Sequence, residues 1–179
     1  PEAKYRAEAA IAFASVQDTN MVGQLLLLLS DSAEIVRESV AYSLGQTGHT
    51  SAETALIEAS KQETSAKATS AMLESIGKCA TTVGVDFLSS FYGKQSTDYG
   101  VAAGLFRADI KGVQTENGLK RIVELLEPNQ QETTRIIAST YLARNRSQDV
   151  SGFTKAITNV LRNDNSEFVR MNLHYGEIS

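Results

Sequence analysis

Residues 31–45 read DSAEIVRESVAYSLG, and the rest of the chain returns to this pattern several times. Residues 164–170 repeat its beginning as DNSEFVR, and Arg6 and Arg135 take the place of Arg37 when the apolar neighbours are aligned. Successive units begin roughly 31–35 residues apart, a period typical of helical hairpins that stack on one another. We therefore interpret the chain as an array of repeats.

Within each unit the apolar residues have the spacing of an α-helix. In the second unit Val36, Val40 and Leu44 follow one another at intervals of four residues, which places them on one helical face. Proline, which interrupts helices, occurs only as Pro1 and Pro128. The pattern predicts an all-α fold of about five helical hairpins preceded by a single helix. Longer helices are predicted at residues 2–16, 32–47, 64–79, 97–111, 131–145 and 165–178, and shorter ones at 19–29, 50–61, 82–93, 116–127 and 149–162.

Capping residues mark several of the predicted helix ends. Asp31 and Asp164 precede helices, where a carboxylate accepts hydrogen bonds from free backbone amides, so we expect them to be N-cap residues. Gly48 and Gly112 follow helices, where glycine adopts the left-handed conformation of a C-cap without strain.

The motif of residues 31–45 resembles the HEAT repeat, in particular the short form first noted in phycobilisome lyases. The resemblance spans the chain and is weakest between residues 95 and 115, around Gly100. It implies a right-handed α-α superhelix, a HEAT-like solenoid, in which the longer helices line the concave face. We expect residues 1–179 to form a single array of this kind and to be a piece of a longer chain.

The resemblance also implies a ladder of charged residues between neighbouring units. In the family, the Asp at the turn and the Arg early in the following helix make these links. Asp31 and Arg37 would form one such pair, Asp164 and Arg170 another, and Arg6 and Arg135 occupy the Arg position. In the third unit Thr69 replaces the Arg.

Composition and motifs argue against catalysis. The formal net charge is −4, which gives no electrostatic reason to expect nucleic acid. Glycine-rich phosphate loops are absent, and the longest apolar run, Leu25 to Leu29, is too short to span a membrane. His49 and His174 are the only histidines, and the His-Glu pairs of helical-repeat hydroxylases are missing. Cys79 and His49 end equivalent predicted helices, but nothing in the sequence indicates the hydrogen-bond reach or the activated thiolate that a Cys–His dyad needs. The sequence predicts no catalytic residue, no cofactor and no metal site.

A binding surface is predicted by reading equivalent positions across the units. The position of Tyr42 is occupied in other units by Ile11, Glu74, Arg107, Thr140 and Tyr175, and the next turn carries Lys78, Lys111 and Arg144. These cations either form a basic strip for a partner or offset the negative C-terminal ends of their helices. Tyrosine is enriched in binding interfaces, which adds Tyr99 and Tyr141 as candidate anchors. The predicted binding residues are Tyr42, Glu74, Lys78, Arg107, Lys111, Tyr141, Arg144 and Tyr175.

The favoured function is a non-catalytic scaffold that binds a protein partner along the concave face. Stacked repeats share a continuous core and present a long surface to extended partners. One alternative is the docking region of a larger enzyme, because similar arrays precede a cyclophilin-type peptidyl-prolyl isomerase domain in some bacterial proteins. The other is a bilin-lyase-related factor, which the repeat resemblance alone suggests. The sequence does not identify the partner or the oligomeric state.

Overall fold

The computed structural model describes residues 2–16, 20, 22–145 and 148–177, with only the backbone of residues 175–177. This part of the chain contains eleven α-helices and no strand. The helices are α1 (Ala3–Val16), α2 (Val22–Leu27), α3 (Glu34–Thr47), α4 (Glu53–Gln62), α5 (Ala66–Cys79), α6 (Thr82–Ser90), α7 (Gln95–Ile110), α8 (Glu116–Glu124), α9 (Glu132–Arg144), α10 (Thr154–Asn163) and α11 (Glu167–Glu177). Short 3₁₀ turns lie at Leu28–Ser30, Thr50–Ala52 and Ser151–Phe153.

The helices form two layers that share one core. The odd-numbered helices pack side by side in chain order, α1 on α3 and so on to α11, and we call them the long-helix layer. The even-numbered helices cover the opposite side as the short-helix layer. A continuous apolar core runs between the layers, because one hairpin cannot bury its apolar face alone. Its largest fully buried side chains include Leu44, Leu56, Ile76, Leu88 and Ile122.

This architecture confirms the predicted fold class, an all-α HEAT-like repeat array. Each predicted helix corresponds to an observed one, with ends displaced by a few residues. The predicted C-caps are confirmed, since Gly48 has φ 62° and Gly112 has φ 79°, both in the left-handed region.

The predicted N-cap role of Asp31 and Asp164 is wrong. The residue before α3 is Ala33, and Asp31 lies earlier in the turn, where its carboxylate accepts a 2.9 Å hydrogen bond from the Ala33 amide. Asp164 likewise accepts a 2.8 Å hydrogen bond from the Ser166 amide, ahead of α11. Each carboxylate thus accepts a hydrogen bond from an amide of its own turn and also binds an arginine, Arg6 for Asp31 and Arg135 for Asp164.

The motif fades around Gly100 because α5 and α7 pack backbone against backbone. A Cβ added at Gly77 would collide with the carbonyl oxygen of Gly104, and one at Gly100 would lie 2.6 Å from the Cα of Ser70. Thr69, which stands at the ladder position of α5, donates instead to the carbonyl of Ser65 in its own helix (2.8 Å). Between α5 and α7, where the charged ladder is interrupted, the two units are thus held together by close packing of the helix backbones.

Candidate functional site

The charged ladder joins the first three units of the array, through Arg6 with Asp31 and Arg37 with Glu63. Arg6 donates two hydrogen bonds of 2.7 Å to the Asp31 carboxylate. Arg37 donates to the Asp31 carbonyl (2.8 Å) and makes a two-point pair of 2.6 and 2.8 Å with Glu63. The predicted pair of Asp31 with Arg37 therefore needs a correction: the two residues are in contact, but through the Asp31 carbonyl. The Asp31 carboxylate binds Arg6, the arginine of the preceding unit.

The same arrangement returns at the other end of the array. Arg135 binds the Asp164 carboxylate through bonds of 2.7 and 3.0 Å, and Arg170 donates to the Asp164 carbonyl. The predicted pair of Asp164 with Arg170 is thus also in contact through the backbone carbonyl of the aspartate, while the carboxylate binds Arg135. All five predicted ladder residues take part in the ladder, which supports their structural role.

Arginine pairing changes the acidity of the ladder carboxylates. Hydrogen bonds from Arg6, followed by one from the Ala33 amide, lower the pKa of Asp31 to about 2. The side-chain hydrogen bonds of Arg37 lower the pKa of Glu63 below its ordinary value. Both carboxylates are thus held in the charged form that the pairing requires.

Two further polar links were not predicted from the sequence. Arg121 of α8 is buried and binds Asp98 of α7 (3.0 Å) and the carbonyl of Phe91 at the end of α6 (3.3 Å). Glu53 is buried at the start of α4 and accepts bonds from the amide (2.6 Å) and hydroxyl (2.8 Å) of Thr81. Neither link recurs among the described residues of the other units, so the repeat pattern held no signal for them.

A groove crosses the exposed face of the long-helix layer. It has a volume of about 720 Å³ and is lined by residues of α1, α3, α5 and α7. Four large apolar residues line the groove, each with 39–53% of its surface exposed: Ile11, Ile35, Tyr42 and Tyr99. Between them α5 contributes small residues such as Ser70 and Ala71. We refer to this feature as the Tyr42–Tyr99 groove.

Several predicted binding residues lie together beside the groove. The ammonium of Lys78 lies 5.5 Å from the centre of the Tyr42 ring. One carboxylate oxygen of Glu74 pairs with both Lys78 and Arg107, at 3.1 Å each. Four of the eight predicted binding residues are therefore neighbours: Tyr42, Glu74, Lys78 and Arg107. Aligning equivalent positions across the units had suggested that these residues of α3, α5 and α7 lie on one surface.

The predicted basic residues continue beyond this cluster. Lys111 follows α7 and donates to the carbonyl of Gly48 at the end of α3 (3.3 Å). Arg144 ends α9, with its guanidinium 5.7 Å from the centre of the Phe106 ring and its Nε 4.0 Å from the Asp109 carboxylate. Both interpretations of the row, a strip for a partner or a set of helix-end cations, are compatible with these positions.

The remaining two predicted binding residues are Tyr141 and Tyr175. Tyr141 does not lie on the exposed surface, because it points into the core with only 2% of its surface exposed. Burial raises the pKa of its phenol, and a hydrogen bond with Gln148 opposes that rise. The neighbouring Thr140, which occupies the row position, is the half-buried one of the two. The side chain of Tyr175 lies outside the described residues.

The remaining candidates for reactive or metal-binding groups are Cys79, the histidines and clusters of acidic side chains. Burial raises the pKa of the Cys79 thiol to about 11, and the thiol donates to the carbonyl of Leu44 (3.6 Å). His49 is exposed and its ring contacts Ser51 (2.7 Å). Within the described part of the chain, no cluster of three or more His, Cys, Asp or Glu side chains is arranged to hold a metal ion. None of the described helices has the length and apolar character needed to cross a membrane.

Comparison with known families agrees with the architecture. Residues 36–62, which cover most of α3 and all of α4, match the family model of the PBS lyase HEAT-like repeat. No curated protein matches the sequence significantly. The chain is thus an all-α helical repeat protein, with a repeat of the PBS lyase HEAT-like family at residues 36–62.

Proposed function

We propose that the chain is a non-catalytic scaffold that binds an extended segment of another protein in the Tyr42–Tyr99 groove. The observation that carries this proposal is the set of exposed apolar side chains that α1, α3 and α7 contribute to one groove: Ile11, Ile35, Tyr42 and Tyr99. Exposed apolar side chains gathered in one groove with polar residues around them are a feature of interaction sites. Covering it stabilises a complex by about 25 cal/mol for each Å² removed from water.

The dimensions of the groove suit a peptide. Neighbouring packed helices lie about 8–10 Å apart, so the groove from α1 to α7 is roughly 25–30 Å long. An extended chain advances about 3.3 Å per residue and would cross it with about eight or nine residues. Alternate side chains of such a segment would reach the floor formed by Ser70 and Ala71.

The charges in the groove are mixed, which favours a peptide over nucleic acid. Glu38, Lys67 and Glu74 line the groove together, so both signs are present. A phosphate backbone requires a consistently positive surface. The absence of a deep enclosure in this groove also distinguishes it from small-molecule sites, which bury most of the ligand.

The test is a comparison of two matched double variants as immobilised baits in lysate of the source cell. In the first, Ile35→Ser and Tyr99→Ser remove apolar surface from the groove. In the second, Leu27→Ser and Val83→Ser remove apolar surface elsewhere that is more exposed, since these residues are 79% and 63% exposed while Ile35 and Tyr99 are 53% and 39% exposed. Circular dichroism and urea unfolding establish that both variants are folded.

The expected result is a protein retained by the unsubstituted chain and the second variant and lost by the first. Cross-linking from a photoreactive residue at position 99 would then identify the bound segment. Equal retention by both variants would move the binding site away from the groove. Failure of the unsubstituted chain to retain any protein would contradict the proposed function.

A second candidate is favoured by the family match at residues 36–62, whose description names a lyase of phycobilisomes. In that case the groove would hold a linear tetrapyrrole during its attachment to another protein. Titration of the chain with biliverdin, followed by absorbance, tests the idea. A shifted spectrum that is lost in the Ile35→Ser/Tyr99→Ser variant supports it, and an unchanged spectrum contradicts it.

A further inference from the structure

The basic residues beside the groove define the kind of segment that binds there. We infer that the partner segment carries acidic residues next to its apolar ones, and that these acidic residues bind a strip formed by Lys78, Arg107, Lys111 and Arg144. The inference rests on the proposed function, because it concerns the same bound segment. It adds the chemistry that distinguishes one extended segment from another.

The strip has more positive than negative charge. Its four cations face two carboxylates, Glu74 and Asp109. Glu74 uses a single oxygen to pair with both Lys78 and Arg107, so neither cation has a carboxylate of its own. Among the described residues, the strip therefore has an excess of two positive charges, although the chain as a whole has a net charge of −4.

The excess charge is accessible. The Arg107 and Arg144 side chains are 42% and 54% exposed. Arg144 approaches Asp109 no closer than 4.0 Å, and the Asp109 carboxylate is buried and also bonded by Gln114. Lys111 is exposed, and its ammonium donates a hydrogen bond to the carbonyl of Gly48. Guanidinium and ammonium groups in this situation keep donors for an incoming carboxylate.

Helix-end electrostatics explain only part of the strip. A cation at a helix C-terminus is favourable, which accounts for one basic residue at the end of each of α5, α7 and α9. The end of α7 has two, Arg107 and Lys111, one turn apart. Like charges at this spacing on a helix destabilise each other. A bound carboxylate would relieve this repulsion.

The strip is continuous with the groove. Lys78 lies against Tyr42, and Glu74 lines the groove while binding Arg107. A segment whose apolar side chains occupy the space between Tyr42 and Tyr99 therefore lies next to Lys78 and Arg107. Acidic side chains there would meet complementary charge, which contributes to specificity and to the rate of association.

Selection from a random 12-residue peptide library displayed on phage tests the inference without a known partner. The unsubstituted chain should enrich peptides with apolar residues adjacent to Asp and Glu. The Lys111→Glu/Arg144→Glu variant should lose the acidic preference. The matched control is Lys120→Glu/Lys155→Glu, which makes the same charge change at exposed residues of the short-helix layer and should keep the preference.

The contribution of the strip to binding is measured as the affinity of the most enriched peptide, by fluorescence anisotropy. We expect the Lys111→Glu/Arg144→Glu variant to bind about tenfold more weakly or worse, and the unsubstituted chain to bind more weakly as salt rises. A labelled 12-nucleotide oligothymidine serves as the competing anion. Tighter binding of the oligonucleotide than of the peptide would overturn the inference and assign the strip to nucleic acid.

The outcomes separate the two proposals. Enrichment of apolar peptides without acidic bias, lost on Ile35→Ser/Tyr99→Ser, overturns the acidic inference and leaves the groove as the binding site. Peptides that bind equally well to the Ile35→Ser/Tyr99→Ser variant contradict the groove itself. A library that yields no enriched peptide overturns the acidic inference, while the capture experiment still tests the proposed function independently.

Discussion

Arg135 and Asp164 form a two-point ion pair, with hydrogen bonds of 2.7 and 3.0 Å, almost completely removed from water. Asp164 also accepts the Ser166 amide, and its carbonyl accepts a bond from Arg170. Burial raises the pKa of Asp164, but the hydrogen bonds from Arg135 and the Ser166 amide outweigh that effect and leave the pKa below its ordinary value. One turn residue thus connects α9 with α11.

Removal of one partner of this pair should destabilise the array strongly. We expect Asp164→Ala to lower the free energy of unfolding by about 3–5 kcal/mol, because it leaves the Arg135 guanidinium buried without a counter-charge. Urea denaturation followed by circular dichroism measures the loss. The control, Lys155→Ala, changes an exposed residue of α10 and should have almost no effect. A loss below about 1 kcal/mol for Asp164→Ala would show that the pair is dispensable.

Stability should fall at acid pH because of the ladder carboxylates. The folded-state pKa values of Asp31, Glu63 and Asp164 are lowered, that of Asp31 to about 2. The stability that these groups contribute is therefore present above their unfolded values near 4 and is lost as the pH falls toward about 2. Urea midpoints measured at several pH values between 7 and 2 test this.

Asp31→Asn is the matched variant for the acid transition. It removes the titrating group while keeping the shape of the side chain. We expect it to be less stable than the unsubstituted chain at pH 7 and to lose less stability between pH 4 and pH 2. Parallel curves for the two proteins would mean that Asp31 does not contribute to the acid transition.

The backbone contact between α5 and α7 should not accept a side chain. We expect Gly77→Ala to destabilise the fold by at least about 1–3 kcal/mol, because the added methyl group meets the carbonyl of Gly104 and forces the helices apart. Gly23→Ala is the control, since nothing lies within 4 Å of a Cβ there and alanine favours helix by about 0.5–1 kcal/mol. Thermal unfolding of both variants compares them. Equal stability would contradict the close packing.

Cys79 should be unreactive in the folded protein. Its side chain is fully buried and its pKa is raised to about 11, so the thiolate that reacts with labelling reagents is scarce and inaccessible. Labelling with a chromogenic disulfide should be on the order of a thousandfold slower in buffer than in urea. The rate in urea is the internal control. Labelling at the rate of a free thiol in buffer would show that α5 opens readily.

The repeat period and apolar spacing predicted the helices, their two alternating lengths and the positions of Gly48 and Gly112. These features are local, because they depend on residues within one or two turns. The same is true of the ladder residues, whose identities recur with the repeat. Their pairing was predicted only in part, since the Asp31 carboxylate binds Arg6 of the preceding unit and Arg37 donates to the Asp31 carbonyl. Distances between units follow from stacking and are not contained in the motif.

The sequence by itself determined that this chain is an all-α stack of HEAT-like hairpins, because periodicity and composition fix which faces must be buried. Only the tertiary structure decided that Tyr141 is buried while Tyr42 and Tyr99 line a groove, since exposure depends on how neighbouring helices rotate against one another. It also decided that a close backbone contact between Gly77 and Gly104 joins α5 to α7, where the charged ladder is interrupted. Contacts between distant residues depend on packing that no single repeat encodes.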